Sequence, residues 1–309
     1  MVDVFLQTIP FFAIIGLGFL AGRLNFFPEA ATAYLTRFVF YFALTAMLFR
    51  FSANLALSEV LDWQIVFAYL AGTSAIYILA TIVAFARKQS VPVAAVEAQC
   101  AVIGNTGFLG IPMLAILIGP EAIGTLMLVL SVDLILFSSL IVILINGARD
   151  GRFSFGIVRT VALGLAKNPM IVAMVAGLSW SAMDWPIPNV MNEFLVTLGA
   201  AATPGALFAI GASLAGKSTE RMHVAGWLSF CKLVLHPLAV AGFALLVFTP
   251  SLFDAQVIIA VSALPVAGNV FMLAQHYGVA PQRVSASILI STVVSIVTFS
   301  LVVGWVSAL

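Results

Sequence analysis

An all-α polytopic membrane protein with ten transmembrane helices is the fold class this sequence predicts. Ten long apolar runs, separated by short polar gaps, fill its 309 residues almost end to end. Hydrophobic residues make up 63% of the chain, charged residues 8%, and mean hydropathy is +1.18. A soluble domain carries about a quarter charged residues, so this surface belongs in lipid. A hydrocarbon core of ~30 Å takes ~20 apolar residues per helix. Ten such spans leave no room for a soluble enzyme domain, and a net charge of +1 points to no nucleic-acid partner.

The expected spans are 4–22, 32–51, 63–86, 94–118, 122–146, 169–183, 190–215, 223–248, 255–278 and 284–307. Met1 to Leu6 carries Asp3 without a basic flank or cleavage site, so the first run is expected to be a retained span. Asn168-Pro169 reads as a capped start of span 6, and Thr203-Pro204-Gly205 interrupts span 7. The stretch 153–166 is short and amphipathic, which predicts a helix lying on the membrane surface. Cys100 and Cys231 both fall inside apolar runs, so no disulfide framework is implied.

Cytoplasmic loops collect Lys and Arg. With the N-terminus outside, the inward loops carry Arg23, Arg87, Lys88, Arg149, Arg152, Arg159, Lys167, Lys217, Arg221 and Arg283. The outward side keeps Arg50 among the acids Glu59, Asp62, Glu121, Asp184, Glu193 and Asp254. Arg37, inside span 2, can snorkel to the inner surface. Glu97, near the inner end of span 4, is expected to be solvated. Both termini are expected outside.

Ten spans divide into five plus five at the polar stretch Asn146–Gly156. An odd number of spans per half gives two repeats of opposite orientation, 1–148 and 169–309, joined by a cytoplasmic linker at 149–168. The fourth member of each half is unusual. Aligning Pro120 of span 4 with Pro281 of span 9 sets Gly104 opposite Pro265. Each is a helix breaker near mid-membrane, where freed backbone groups survive only under cover of protein or a watery cavity. Interrupted spans at matching positions of two halves point to a transporter's binding site.

Three stretches resemble the auxin efflux carrier family, in its bacterial organic-acid permease branch. Gly104-Asn105-Thr106-Gly107-Phe108-Leu109-Gly110-Ile111-Pro112 is similar to the family's broken fourth span. Ala263-Leu264-Pro265, followed by Phe271, Ala274 and Tyr277, is similar to the broken ninth span. Lys232 followed by Pro237 is similar to the eighth-span pattern. The resemblance covers all ten spans and implies two inverted five-helix repeats, as in bile-acid transporters, with helices 4 and 9 crossing at their breaks. It implies a scaffold of spans 1, 2, 6 and 7, a homodimer through that scaffold, and a transport domain of spans 3–5 and 8–10. It further implies elevator-type alternating access in the bacterial inner membrane, for a mono- or dicarboxylate such as malonate, malate or lactate. Plant members have Pro where Gly104 stands and a long loop between spans 5 and 6 that is absent here. Those departures disfavour auxin itself.

Crossed, broken helices offer particular chemistry. The second halves are expected to begin near Thr106 and Val266, each with unpaired N–H groups and about half a positive charge. This is an anion site that needs no Arg. Asn105 can donate to a carboxylate or cap its own helix, Thr106 adds a hydroxyl, and Gly107 permits close approach. Pro265, Val266 and Asn269 are the candidates from span 9, and Gly104, Pro112 and Pro265 the crossover breaks. Asp133 and Lys232 are the ionisable groups deepest in the apolar runs and so need a partner or a purpose. Lys232 could neutralise the negative ends of the first half-helices or titrate against sodium. Asp133 could pair with Lys232 or take up a proton. His236 and His276 read as core or interfacial, with no metal spacing. No cofactor is indicated beyond coupling to H+ or Na+. A secondary carrier of a small organic anion is the leading function, against an exporter of auxin-like aromatic carboxylates, a membrane receptor, or an intramembrane enzyme that would lack a second catalytic group.

Overall fold

The computed structural model describes residues 2–54, 62–150, 159, 163, 166–216 and 222–309. Glu59, Arg152, Lys217, Arg221 and most of the stretch 153–166 lie outside the described residues, so the expected surface helix and much of the linker do too.

The described residues are helical throughout, with one isolated backbone bridge between two breaks. The helices are α1 (Val2–Arg23), α2 (Glu29–Ala53), α3 (Trp63–Ala86), α4 (Val91–Val102), α5 (Thr106–Leu117), α6 (Ala122–Ala148) and α7 (Pro169–Ser181). There follow α8 (Asn189–Leu214), α9 (Met222–Phe248), α10 (Leu252–Ser262), α11 (Gly268–Tyr277) and α12 (Pro281–Val306). Six of them, α2, α3, α6, α8, α9 and α12, are long and apolar enough to cross a membrane. The runs expected as spans 4 and 9 are each a pair of shorter helices, α4 with α5 and α10 with α11.

Local chemistry sets the ends. Asp62 Oδ1 accepts from the Gln64 amide at 2.7 Å to start α3, and Asn168 Oδ1 from the Met170 amide at 3.0 Å to start α7. Ser251 Oγ accepts from the Asp254 amide at 3.1 Å and caps the start of α10. Inside the helices, prolines leave marks. Pro237 supplies no N–H, and the turn before it, Cys231–Leu235, widens so that the His236 amide reaches back to the Cys231 carbonyl. The turn Thr106–Gly110, ahead of Pro112, widens in the same way. Pro204 leaves the Ala200 carbonyl without its usual donor, and α8 is interrupted at Ala201.

The molecule has an apolar exterior and polar groups inside. Ile78, Ile82, Leu246, Val247, Val293 and Val297 stand exposed on the outer faces, while Asn105, Asp133, Lys232 and His236 are buried. Lipid, not water, suits that arrangement. α1 lies along α8 and α7 along α2, with α2 also against α8; α3 packs on α4 and α9, α9 on α12 and α10, and α6 on α4 and α10. The α1–α8 contact depends on small residues: a Cβ added to Gly18 would stand 2.1 Å from the Phe208 carbonyl oxygen, and one on Gly211 1.9 Å from that of Ile15. Backbones approach this closely only where a side chain is missing.

Candidate functional site

The two breaks face each other. α4 ends at Val102 and α10 at Ser262, and the freed segments pair as an antiparallel bridge between Gly104 and Val266. The Asn105 amide donates to the Pro265 carbonyl at 2.9 Å and the Ala267 amide to the Ile103 carbonyl at 3.0 Å. Pro265 lacks an N–H but is asked only to accept. The Val266 amide donates to Ser291 Oγ of α12 at 3.1 Å. Backbone polar groups that would be intolerable in lipid are thereby satisfied by one another.

This pairing corrects the expected start of the second half-helix. α11 begins at Gly268, not near Val266, because residues 265–267 give their backbone groups to the bridge. A cavity of about 380 Å³ adjoins the crossing, lined among others by Asn105, Thr106, Gly107, Asp133, Gly268 and Asn269. Pro265 and Val266 do not line it; Ala267 and Gly268 do. The Asn105 side chain does not cap its own helix. Asn269 Oδ1 is buried without a hydrogen-bond partner. Phe40 and Phe108, stacked with centroids 6.4 Å apart, form an apolar wall. Pro112 lies further along α5, and His276 in α11.

Lys232 is fully buried beneath the crossing. Its ammonium donates to the carbonyl of Ser262, the last residue of α10, where the helix dipole is negative. It also lies 3.2 Å from His236 Nδ1. A Cβ on Gly104 would stand 3.3 Å from Lys232 Cε and Nζ, so the glycine leaves room for the cation as well as breaking the helix.

Asp133 opens a widened turn of α6, Asp133–Phe137. Of the two roles open to Asp133, the ion pair with Lys232 is not formed. Lys232 is engaged by Ser262 and His236, and Asp133 Oδ1 accepts instead from the Tyr69 hydroxyl at 2.9 Å. His236 is no isolated core histidine: its Nε2 lies 3.0 Å from Thr73 Oγ1, and its ring packs edgewise on Tyr69. Sequence reading missed Tyr69 and Thr73. Their four-residue spacing on one face of an otherwise apolar helix was the available signal.

Glu97 also departs from expectation. Its side chain is not solvated but fully buried, held by Arg87 and by Arg283, the latter at 2.5 Å. Both arginines were placed on the inward side, and together they neutralise the acid and draw it in.

Fold and cavity together define a multi-pass helical membrane protein whose interrupted helices meet beside an internal pocket. The family described as "Membrane transport protein" matches residues 3–303, and the chain belongs to it, the auxin efflux carrier family. It is therefore a membrane transporter, with a small-molecule substrate and the lipid bilayer as its surroundings. It is 28% identical over 297 residues to a Rhizobium meliloti (strain 1021) protein described as "Putative malonate transporter", covering 94% of this chain and 92% of that one. It is also 28% identical over 225 residues to the mouse "Lysosomal cholesterol signaling protein", covering 67% of this chain and 25% of the mouse protein.

Proposed function

We propose that this protein is a secondary carrier of a small organic anion, bound in the cavity at the crossing of the two interrupted helices. The observation that carries the reading is the Gly104–Val266 pairing. It holds the starts of α5 and α11 beside one pocket, with Asn105 and Asn269 among its lining residues. N–H groups at the two starts and the Asn105 side-chain amide receive the carboxylate, while Phe40 and Phe108 border the apolar part. The relative described as a malonate transporter supports a short mono- or dicarboxylate.

On this reading α1, α2, α3, α4 with α5, and α6 are five spans, and α7, α8, α9, α10 with α11, and α12 are five more of opposite orientation. The packing of α1, α2, α7 and α8 among themselves supports a scaffold, through which a homodimer forms. The remaining helices form a transport domain that moves past it in elevator fashion. The distribution of Arg and Lys supports both termini lying outside the bacterial inner membrane.

The experiment is uptake or exchange of labelled malonate and lactate by purified protein in liposomes, extended over a panel of carboxylic acids. Flux above empty vesicles is expected, with Asn105→Ala losing substrate binding while remaining folded. Absence of flux across the whole panel defeats the reading.

A further inference from the structure

Asp133 is, among the described residues, the charged side chain that lines the cavity. It is only 3% exposed, and its two oxygens differ. Oδ1 accepts from Tyr69; Oδ2 is buried and has no hydrogen-bond partner. The groups that face Asp133 explain why. From α3 come Tyr69, already bonded, and Tyr77, whose ring packs on Phe137 a turn further along α6. From α9 come His236, which reaches Thr73 and Lys232, and Lys232, which is committed to Ser262. From α11 comes Tyr277, across the cavity. The neighbouring cation is thus engaged elsewhere, and Tyr69 stands between Asp133 and the imidazole. A buried carboxylate oxygen with no donor, on a residue that lines a cavity, is costly to leave ionised, and a proton arriving through that cavity can relieve it.

We propose that Asp133 is the proton-binding site of this carrier, loaded from the cavity when the organic anion binds. The step is simple. A hydronium ion gives its proton to Oδ2, an O–H bond forms, water leaves and the negative charge is cancelled. The new hydroxyl then faces the substrate as a donor, alongside the helix-start amides. Without the proton, the same oxygen would present a negative charge to an incoming anion in a low-dielectric space. Proton and substrate binding are therefore linked, and the linkage is reciprocal. Tyr69 positions the carboxyl by holding Oδ1, which leaves Oδ2 as the oxygen free to take the proton. The inference rests on the cavity being the substrate site.

The test uses proteoliposomes carrying an internal pH dye, with labelled lactate and malonate as probes. In the wild type, each lactate taken up should carry one proton. A tenfold proton gradient should then drive up to about tenfold accumulation, unaffected by an imposed membrane potential, because the pair is neutral. Asp133→Asn removes the titratable group: whatever exchange remains should have lost its pH dependence and should no longer move protons. Tyr69→Phe removes a donor that favours the ionised carboxyl, so the pH profile should be displaced toward higher pH with flux retained. This variant and the wild-type stoichiometry decide the matter even if Asp133→Asn fails to fold.

Substrate flux without proton movement, or flux that follows sodium at constant pH, overturns the proton site and leaves the carrier reading intact. A pH profile unmoved in Tyr69→Phe overturns the positioning role. Wild-type protein that moves neither probe, nor any acid of the wider panel, at any pH sinks the carrier reading and the proton site with it.

Discussion

Glu97 of α4 and Arg283 at the start of α12, 186 residues apart in the chain, are hydrogen-bonded at 2.5 Å. Arg87, at the end of α3, holds the other carboxylate oxygen, and Arg283 also reaches Gln89 Oε1 at 3.0 Å. One buried acid thus ties the α3–α4 turn of the first half to the last helix of the second.

Removing that acid leaves guanidinium groups without their partner in a mostly buried place. Glu97→Ala should lower stability by about 3–5 kcal/mol. The loss should fall chiefly on Arg283, since the Arg87 side chain is 31% exposed and can turn to solvent. Thermal unfolding in detergent measures it; an unchanged midpoint would mean the cluster is not what joins these helices.

Gly104 and Gly107 stand close together in the sequence but predict different outcomes. A Cβ at Gly104 meets the Lys232 ammonium at 3.3 Å, so Gly104→Val should crowd the bridge and lower stability by about 1–3 kcal/mol. A Cβ at Gly107 meets the flexible end of Met170 at 2.8 Å and touches Leu44 Cδ2 in ordinary contact at 3.8 Å. Gly107→Ala should therefore fold normally yet reduce flux by taking space in the cavity. Equal melting behaviour for the two variants would count against this assignment.

Ser291 serves the crossing from outside it. Its hydroxyl is the acceptor for the Val266 amide, and the residue is fully buried. Ser291→Ala strands that N–H, at about 1–3 kcal/mol. Faster hydrogen exchange at Val266, read by mass spectrometry of the 260s peptide, is the expected signature. Exchange identical to wild type would show that the amide has another partner.

The α1–α8 contact supplies an internal control. Gly211→Ala drives a methyl into the Ile15 carbonyl and should abolish folded protein on size-exclusion chromatography. Gly16→Ala, two residues from Gly18 and so on the other side of the same helix, meets nothing within 4 Å. It should be neutral or gain up to about 1 kcal/mol from helix propensity. If both variants elute as wild type, α1 does not pack on α8 this closely.

Much of this architecture was legible in the sequence. Apolar run lengths gave the membrane class, and Gly104 and Pro265 gave the places where α4 and α10 stop. Those are local effects: a missing Cβ or a missing N–H acts on the turn that contains it. Asn168 before Pro169 was readable for the same reason. Glu97 was misread because solvation was judged from its position near a helix end. One of the two arginines that bury it, Arg283, comes from a helix 186 residues further along the chain. The start of α11 was misplaced by two residues because a backbone bridge to another helix overrode the local signal at Pro265.

By itself, then, the sequence determined that the chain is a membrane-embedded helical protein, where its helices break, and which ionisable groups lie deep. Tertiary structure alone decided whom those groups meet: Gly104 with Val266, Lys232 with the Ser262 carbonyl, Asp133 with Tyr69. Helix formation and interruption follow from properties of neighbouring residues. Partner choice depends on which helix faces come together, and packing across the whole fold sets that.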